Sequence, residues 1–214
     1  MRRNPLSIAM LATATLALGT FVAAIPATTV PAVSQGTAID IDAALAERVV
    51  GAEDAPVTIV EYASMTCPHC ANFHSKQYPA LKERYIDTGK VKMVFRNFVL
   101  NQVDLRASMM ARCAPAERFF GLTDVLFRTQ ASWAQSPDPI TELAKIGRLS
   151  GIDDATFQAC MTSEPLVNGL IKLREVGSSE GVASTPTFII NGERVVGGHT
   201  IEELAEIIDP LVGK

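Results

Sequence analysis

The chain has 214 residues, of which 48% are apolar and 20% charged, with 23 acidic and 19 basic side chains. This composition excludes an intrinsically disordered chain, and the length allows a sizeable buried core. Arg2 and Arg3 are the only charged residues before residue 35, so the rest carries 17 basic side chains against 23 acidic ones. Without a block of Lys and Arg to neutralise phosphates, no nucleic-acid partner is expected. Four cysteines are also too few for a small disulfide-stapled scaffold.

Residues 1–34 have the pattern of a signal peptide. Arg2 and Arg3 form a positive n-region, residues 6–25 form an uncharged apolar run, and small residues at 32–34 offer a cleavage site. The alternative is an uncleaved membrane anchor, because a run of about 20 residues can just span a bilayer. Beyond residue 35 no apolar run approaches that length. We therefore expect an exported, periplasmic protein in a compartment where disulfides persist.

The next segment is expected to contain two strands separated by a long helix. Residues 35–55 are predicted to be an exposed lead-in with one short helix at 42–50. Runs of β-branched and aromatic residues predict strands, and apolar residues at helical spacing predict a helix. In chain order these elements are a strand at 57–62, a helix at 68–87 and a strand at 91–98.

About 85 residues then pass before the next predicted strand. Their apolar residues recur at helical spacing, which predicts a helical block. The predicted helices are 105–113, 119–127, 140–149 and 166–176.

The C-terminal part has a hairpin signal followed by a helix signal. Asn191-Gly192 is the dipeptide that tight two-residue hairpins favour, and it predicts strands at 187–190 and 193–196. Thr200, with Glu203 three residues later, is a capping box that begins a last helix.

The order of elements predicts an α/β protein in which residues 56–100 and 180–214 form one mixed sheet with helices. A crossover between parallel strands needs only a dozen or more residues. The much longer segment 101–179 is therefore predicted to be an all-helical insertion.

The chemistry is carried by Cys67-Pro68-His69-Cys70, which follows a predicted strand and begins a predicted helix. That context makes two cysteines three apart a redox motif. The helix N-terminus favours a thiolate on Cys67, and Pro68 suits the first turn because its missing N–H would have no partner there. Cys70, one turn later, faces the protein, so Cys67 is the expected nucleophile and Cys70 the resolving thiol. His69 adds a positive or hydrogen-bonding group beside the thiolate.

Two other interpretations of this motif are a plain buried disulfide and half of a zinc site. A zinc site would need a second close pair, whereas Cys113 and Cys160 stand far apart in the sequence. His74 and His199 have no ligand spacing to a cysteine outside the motif. We therefore expect no metal and no other cofactor.

The motif, after the strand that ends at Glu61-Tyr62-Ala63-Ser64, resembles the bacterial DsbA-type thiol:disulfide oxidoreductases. The resemblance covers about residues 50–212 and implies a thioredoxin fold with an inserted helical subdomain. The Pro-His dipeptide between the cysteines is characteristic of the oxidising branch of that family. Thioredoxins typically have Gly-Pro there, and eukaryotic isomerases Gly-His.

The resemblance implies roles for three further residues. Thr185-Pro186 precedes the third strand, where the family places a cis-proline against the redox cysteines and binds extended substrate. Thr185 stands where the best-known oxidase of the family has Val. The sequence therefore distinguishes an oxidase from an isomerase less clearly than the Pro-His dipeptide alone would. Glu61 matches a buried acid that relays protons near the second cysteine; the alternative is a surface charge on an edge strand.

Cys113 and Cys160 both lie within the predicted insertion. Two free thiols beside a strong oxidant would be vulnerable in an exported protein, and the pair resembles a structural disulfide present in part of the family. The alternative is two unrelated buried thiols, since free Cys is among the most buried residue types.

Three functions are therefore considered. The first is an exported oxidase that introduces disulfides into unfolded or folding exported proteins and is reoxidised, as the family implies, by a DsbB-type membrane quinone reductase. The second is a disulfide isomerase or reductase on the same fold. The third is a zinc-binding or non-catalytic thioredoxin-like module.

Overall fold

The structure is a computed structural model that describes residues 38–213. The predicted signal peptide, residues 1–34, lies outside the described residues. Of the helices within residues 38–213, none combines the length and the apolar character that crossing a bilayer requires.

A five-stranded mixed sheet forms the centre of the fold, with the strand order β1-β3-β2-β4-β5. Strands β2 and β3 are parallel, and every other neighbouring pair is antiparallel. The strands are β1 (Arg48–Val50), β2 (Val57–Ala63), β3 (Val91–Asn97), β4 (Thr187–Ile190) and β5 (Glu193–Val196). Because β2 lies between β3 and β4, its alternate side chains are buried in the middle of the sheet.

Ten α-helices accompany the sheet within the described residues, and the long segment between β3 and β4 is entirely helical, as predicted. Around the sheet they are α1 (Ile41–Leu45), α2 (Pro68–Lys76), α3 (Tyr78–Leu81) and α10 (Ile201–Val212). In the helical segment they are α4 (Gln102–Cys113), α5 (Phe119–Arg128), α6 (Gln130–Ala134), α7 (Pro139–Leu149), α8 (Asp154–Met161) and α9 (Glu164–Ser179).

Two large hydrophobic clusters position these helices. In one, α2, α3 and α10 pack on the sheet, and Phe73, Leu204 and Ile59 belong to their shared core. In the other, the inserted helices pack against the ends of the parallel strands, where Ala63 and Phe95 belong to their core. Because β2 and β3 are parallel, their carboxyl ends meet at one edge, so the insertion begins beside the loop that follows β2.

The predicted helix at 42–50 is wrong in its second half, and the lead-in is not wholly exposed. Helix α1 ends at Leu45, and residues 48–50 form edge strand β1, with Val49 opposite Val94 of β3. The buried guanidinium of Arg48 donates to the carbonyls of Ala43 and Ala44. Sheet pairing with a distant strand therefore determines the conformation of this segment.

The predicted helix at 68–87 is interrupted. Helix α2 ends before Gln77, α3 follows, and Lys82–Ile86 form a π-helical turn. Pro79 has no N–H to donate to the preceding turn, so a regular α-helix is broken at this point. The π-helical turn brings Tyr85 and Ile86 into the core.

Candidate active site

The redox motif lies at the carboxyl end of β2, the central strand. Cys67 is the N-cap of α2, and Pro68 occupies the first helical turn. Both Cys67 and Cys70 are free thiols; Cys67 keeps 7% of its surface exposed, whereas Cys70 is fully buried. A thiol from another protein can therefore approach Cys67 but not Cys70.

The environment of Cys67 favours the thiolate. The pKa of Cys67 is lowered to about 5; a hydrogen bond from the Cys70 thiol makes the largest contribution, and burial opposes the shift. The backbone N–H groups of Cys70 and His69 contribute to the same lowering. The backbone donors are those that a helix N-terminus leaves unpaired. Cys67 is consequently ionised at neutral pH in the reduced protein.

Cys70 has the opposite behaviour. Burial raises the pKa of the Cys70 thiol well above its ordinary value, and the hydrogen bond to Cys67 and the negative charge of Glu61 raise it further. The reduced site thus contains one thiolate and one thiol at neutral pH, in the order expected from the sequence. Only Cys67 is ready to act as a nucleophile without first losing a proton.

The side chain of His69 is exposed and makes no hydrogen bond with any residue of the described chain. What His69 contributes to Cys67 in this structure is its backbone N–H.

The residues before β4 lie against the redox cysteine. The peptide bond between Thr185 and Pro186 is cis. The carbonyl oxygen of Thr185 is 3.2 Å from the sulfur of Cys67 and can accept a hydrogen bond from it only while Cys67 is protonated. The chain thus brings residues 118 positions apart into contact at the site.

Glu61 is fully buried on central strand β2, so the alternative of a surface charge on an edge strand is wrong. Both of its carboxylate oxygens are 3.0 Å from Nε2 of His74, which is itself buried. The sequence analysis missed this partner. His74 lies four residues after Cys70, which places both on one face of α2, and this spacing was the signal available.

Side chains from the insertion hold the loop that carries Cys67. The Nε2 amide of Gln130 donates to the carbonyls of Met65 (2.8 Å) and Cys67 (3.0 Å). The buried carboxylate of Asp104 accepts from the backbone N–H of Met65 and of Leu100. The sequence analysis identified neither residue, because both act on the site from distant helices.

A disulfide joins Cys113 at the end of α4 to Cys160 in α8, with a Cα–Cα distance of 6.4 Å. It ties together two helices of the insertion. Its closed loop spans 47 sequence positions.

We expect loss of this bridge to destabilise the protein without changing its redox chemistry. In the chain-entropy model a loop of this length stabilises the folded state by roughly 4 kcal/mol. Urea unfolding of the double variant Cys113→Ala/Cys160→Ala should show this loss, while the pKa of Cys67 stays unchanged. A loss of less than about 1 kcal/mol would show that the loop contributes little.

Within residues 38–213 no group of three or more His, Cys, Asp or Glu side chains is arranged to hold a metal ion. The site therefore consists of two cysteines with opposite protonation states, a cis-proline beside them and a buried acid behind them. A parallel strand pair, a redox dithiol at a helix N-terminus and a cis-proline before the antiparallel hairpin define a thioredoxin-fold oxidoreductase site.

The comparisons with known proteins agree with this class. The chain matches the Thioredoxin family model over residues 43–210. It therefore belongs to the thioredoxin family, and its relatives place it in the DsbA-like branch. The predicted thioredoxin fold with a helical insertion is confirmed.

The chain is 32% identical over 168 residues to a protein-disulfide oxidoreductase of Rickettsia bellii, covering 78% of this chain and 64% of that protein. The chain thus spans less than two thirds of this relative's length. Disulfide bond formation protein D of Bacillus subtilis is 27% identical, and the match covers 78% of this chain and 78% of that protein. The crystal structure of alpha-DsbA1 of Wolbachia pipientis superimposes with a TM-score of 0.73 at 30% identity, over 78% of this chain and 91% of that one.

Proposed function

We propose that this protein is an exported thiol:disulfide oxidase that introduces disulfide bonds into unfolded or folding proteins. The observation that carries this proposal is the position of Cys67 at the N-cap of α2, where the Cys70 thiol and the backbone N–H groups of the helix favour its thiolate, while Cys70 is fully buried. A stabilised thiolate stabilises the reduced form of a dithiol, and this makes the corresponding disulfide a stronger oxidant.

The exposure of the two sulfurs gives the order of events. A substrate thiolate attacks Cys67 in the oxidised protein, forms a mixed disulfide, and expels Cys70. A second substrate thiol, as its thiolate, then attacks the mixed disulfide and expels Cys67. The substrate leaves with a disulfide, and its two electrons remain on the protein as the Cys67 thiolate and the Cys70 thiol.

The substrate backbone is expected to lie along Thr185 and Pro186. These two residues immediately precede β4, and the carbonyl oxygen of Thr185 contacts the sulfur of Cys67, so an extended chain there would present its cysteine to the site. This mode of binding needs no particular substrate sequence and suits unfolded polypeptides.

Export and reoxidation belong to the same proposal. The pattern of residues 1–34 supports a periplasmic location, where substrate disulfides persist. Continued turnover requires an oxidant for the reduced pair, and a DsbB-type membrane quinone reductase is the partner that the family relationship suggests.

The proposal is tested by mixing the oxidised protein with an equal amount of a reduced, unfolded protein that has two thiols. Alkylation and mass spectrometry should show one disulfide gained by the substrate and one lost by the protein. If the protein stays oxidised while the substrate keeps both thiols, the oxidase proposal is wrong. Faster rearrangement of a wrongly paired substrate than oxidation of a reduced one would instead indicate an isomerase.

A further inference from the structure

The buried pair Glu61–His74 lies behind the redox cysteines in surroundings that offer the acid no other support. The residues opposite Glu61 in the sheet are Phe95 on β3 and Phe188 on β4, both apolar and fully buried. His74 is the only hydrogen-bond partner of the Glu61 carboxylate within residues 38–213. A buried carboxylate without a partner is costly, so the state of Glu61 depends on His74.

The orientation of the imidazole is fixed by aromatic neighbours. The ring of His74 stacks on Phe127 of α5, with 4.3 Å between centroids and an interplanar angle of 20°. On another side it contacts Tyr78 at 5.0 Å. Held in this way, Nε2 is equidistant from the two oxygens of Glu61, and the helical spacing places Cys70 one turn before it on the same face.

We infer that His74 is a positioning residue for proton transfer at Cys70: it holds Glu61 as a buried carboxylate and shares with it the proton that Cys70 gains and loses. The inference rests on the proposed function and adds a residue that the redox motif does not include. Histidine is suited to this task because its imidazole readily exchanges a proton near neutral pH.

One proton moves between Cys70 and the Glu61–His74 pair in each direction of the reaction. When a substrate thiolate attacks Cys67, a substrate–Cys67 disulfide forms, the Cys67–Cys70 disulfide breaks, and Cys70 leaves as a thiolate. The Glu61–His74 pair gives this thiolate one proton, which leaves Cys70 as a thiol and the pair with one proton fewer. In the reverse step the pair takes the proton from Cys70, and the Cys70 thiolate attacks Cys67, so that the Cys67–Cys70 disulfide forms, the substrate–Cys67 bond breaks and the substrate leaves as a thiolate.

Other ionisable groups near the pair are less suited to this exchange. Tyr78 packs on the His74 ring, but burial and the negative charge of Glu61 raise the pKa of its hydroxyl. Asp124 of α5 acts on Tyr78 by its charge alone. The neighbours of Glu61 on the adjacent strands, Phe95 and Phe188, are uncharged. Cys70 and His74 are therefore the groups that can exchange a proton with Glu61.

The experiment separates attack by Cys70 from attack by an outside thiol. The reduced protein is mixed rapidly with oxidised glutathione and quenched in acid, and mass spectrometry follows the Cys67–glutathione disulfide as it forms and as Cys70 resolves it. In parallel, dithiothreitol cleaves the same mixed disulfide in a Cys70→Ala background. The variant is His74→Gln, which can still donate a hydrogen bond but cannot carry the proton; the matched control is His199→Gln, at a half-buried histidine outside the Glu61–His74 pair.

We expect His74→Gln to slow resolution by Cys70 by about 100-fold, the lower end of the range for loss of general acid–base catalysis. Formation of the mixed disulfide and its cleavage by dithiothreitol should change less than about twofold, because neither step moves a proton at Cys70. The pH dependence of resolution should also differ from that of the wild type, because a glutamine cannot take part in the proton transfer. His199→Gln should match the wild type.

Glu61→Gln provides the second variant if His74→Gln does not fold, and it should produce the same selective loss. The inference is overturned if folded His74→Gln resolves the mixed disulfide at the wild-type rate and pH dependence, or if both kinds of attack slow equally. It is also overturned if Glu61→Gln leaves resolution unchanged. Failure of the wild type itself to form or resolve the Cys67 mixed disulfide would instead refute the proposed function.

Discussion

A Cys70→Ala variant will accumulate as a mixed disulfide with thiol-bearing substrates, whereas a Cys67→Ser variant will form none and will lose all oxidase activity. The first result follows because Cys67 is the partly exposed sulfur and Cys70 is fully buried. With its resolving thiol removed, Cys67 keeps its bond to the substrate until an outside thiol attacks. Non-reducing gels of variants purified from cells, with mass spectrometry of the adducts, measure both results.

The matched control for this experiment is Cys113→Ala/Cys160→Ala, which removes two other cysteines and should trap no substrate. Adducts of the Cys70→Ala variant should disappear on reduction and should map to Cys67. Adducts that map to any other residue, or an active Cys67→Ser variant, would contradict the assignment of the nucleophile.

The reduced protein will become more stable as the pH rises from 5 to about 8.5, the ordinary pKa of a free thiol. The folded state lowers the pKa of Cys67 to about 5, so between these values Cys67 is ionised when folded and protonated when unfolded. The unfolded state then binds more protons, and stability rises by at most about 1.4 kcal/mol per pH unit. Below the folded pKa this contribution is lost.

Cys70 acts in the opposite direction at higher pH. Its raised pKa keeps it a thiol in the folded state, while the unfolded chain ionises, so its contribution decreases as the pH rises above about 8.5. The stability of the reduced protein should therefore pass through a maximum near that pH.

Urea unfolding at several pH values tests this expectation, with Cys67→Ser and the oxidised wild type as references. The difference in free energy of unfolding between the reduced wild type and Cys67→Ser should grow from pH 5 to 8. The carboxylates and histidines are common to both proteins, so their contributions cancel in this difference. Parallel curves would mean that the fold does not stabilise the Cys67 thiolate.

Features with a local signal were predictable from the sequence. Asn191 and Gly192 adopt positive φ angles of 47° and 93°, as the hairpin signal requires, and Thr200 with Glu203 forms the capping box. The redox motif was equally local, because a strand, a proline and a helix start surround Cys67 within a few residues.

Features that depend on distant partners were not predictable. Residues 48–50 are a strand only because β3 offers an edge to pair with. Gln130 and Asp104 support the active-site loop from helices that follow it by many residues, and no periodicity reveals such hydrogen bonds. His74 could be placed on the same helix face as Cys70, but its contact with Glu61 depends on how α2 packs on β2.

The central claim is that this fold makes the Cys67–Cys70 disulfide an oxidant. Its most direct test is the equilibrium of the purified protein with mixtures of reduced and oxidised glutathione, read by alkylation of the free thiols. The stabilised Cys67 thiolate predicts that the pair stays reduced at glutathione ratios that would oxidise an ordinary protein dithiol, and so has a potential above that of glutathione. A potential as low as thioredoxin's, about −270 mV, would contradict the claim and indicate a reductase.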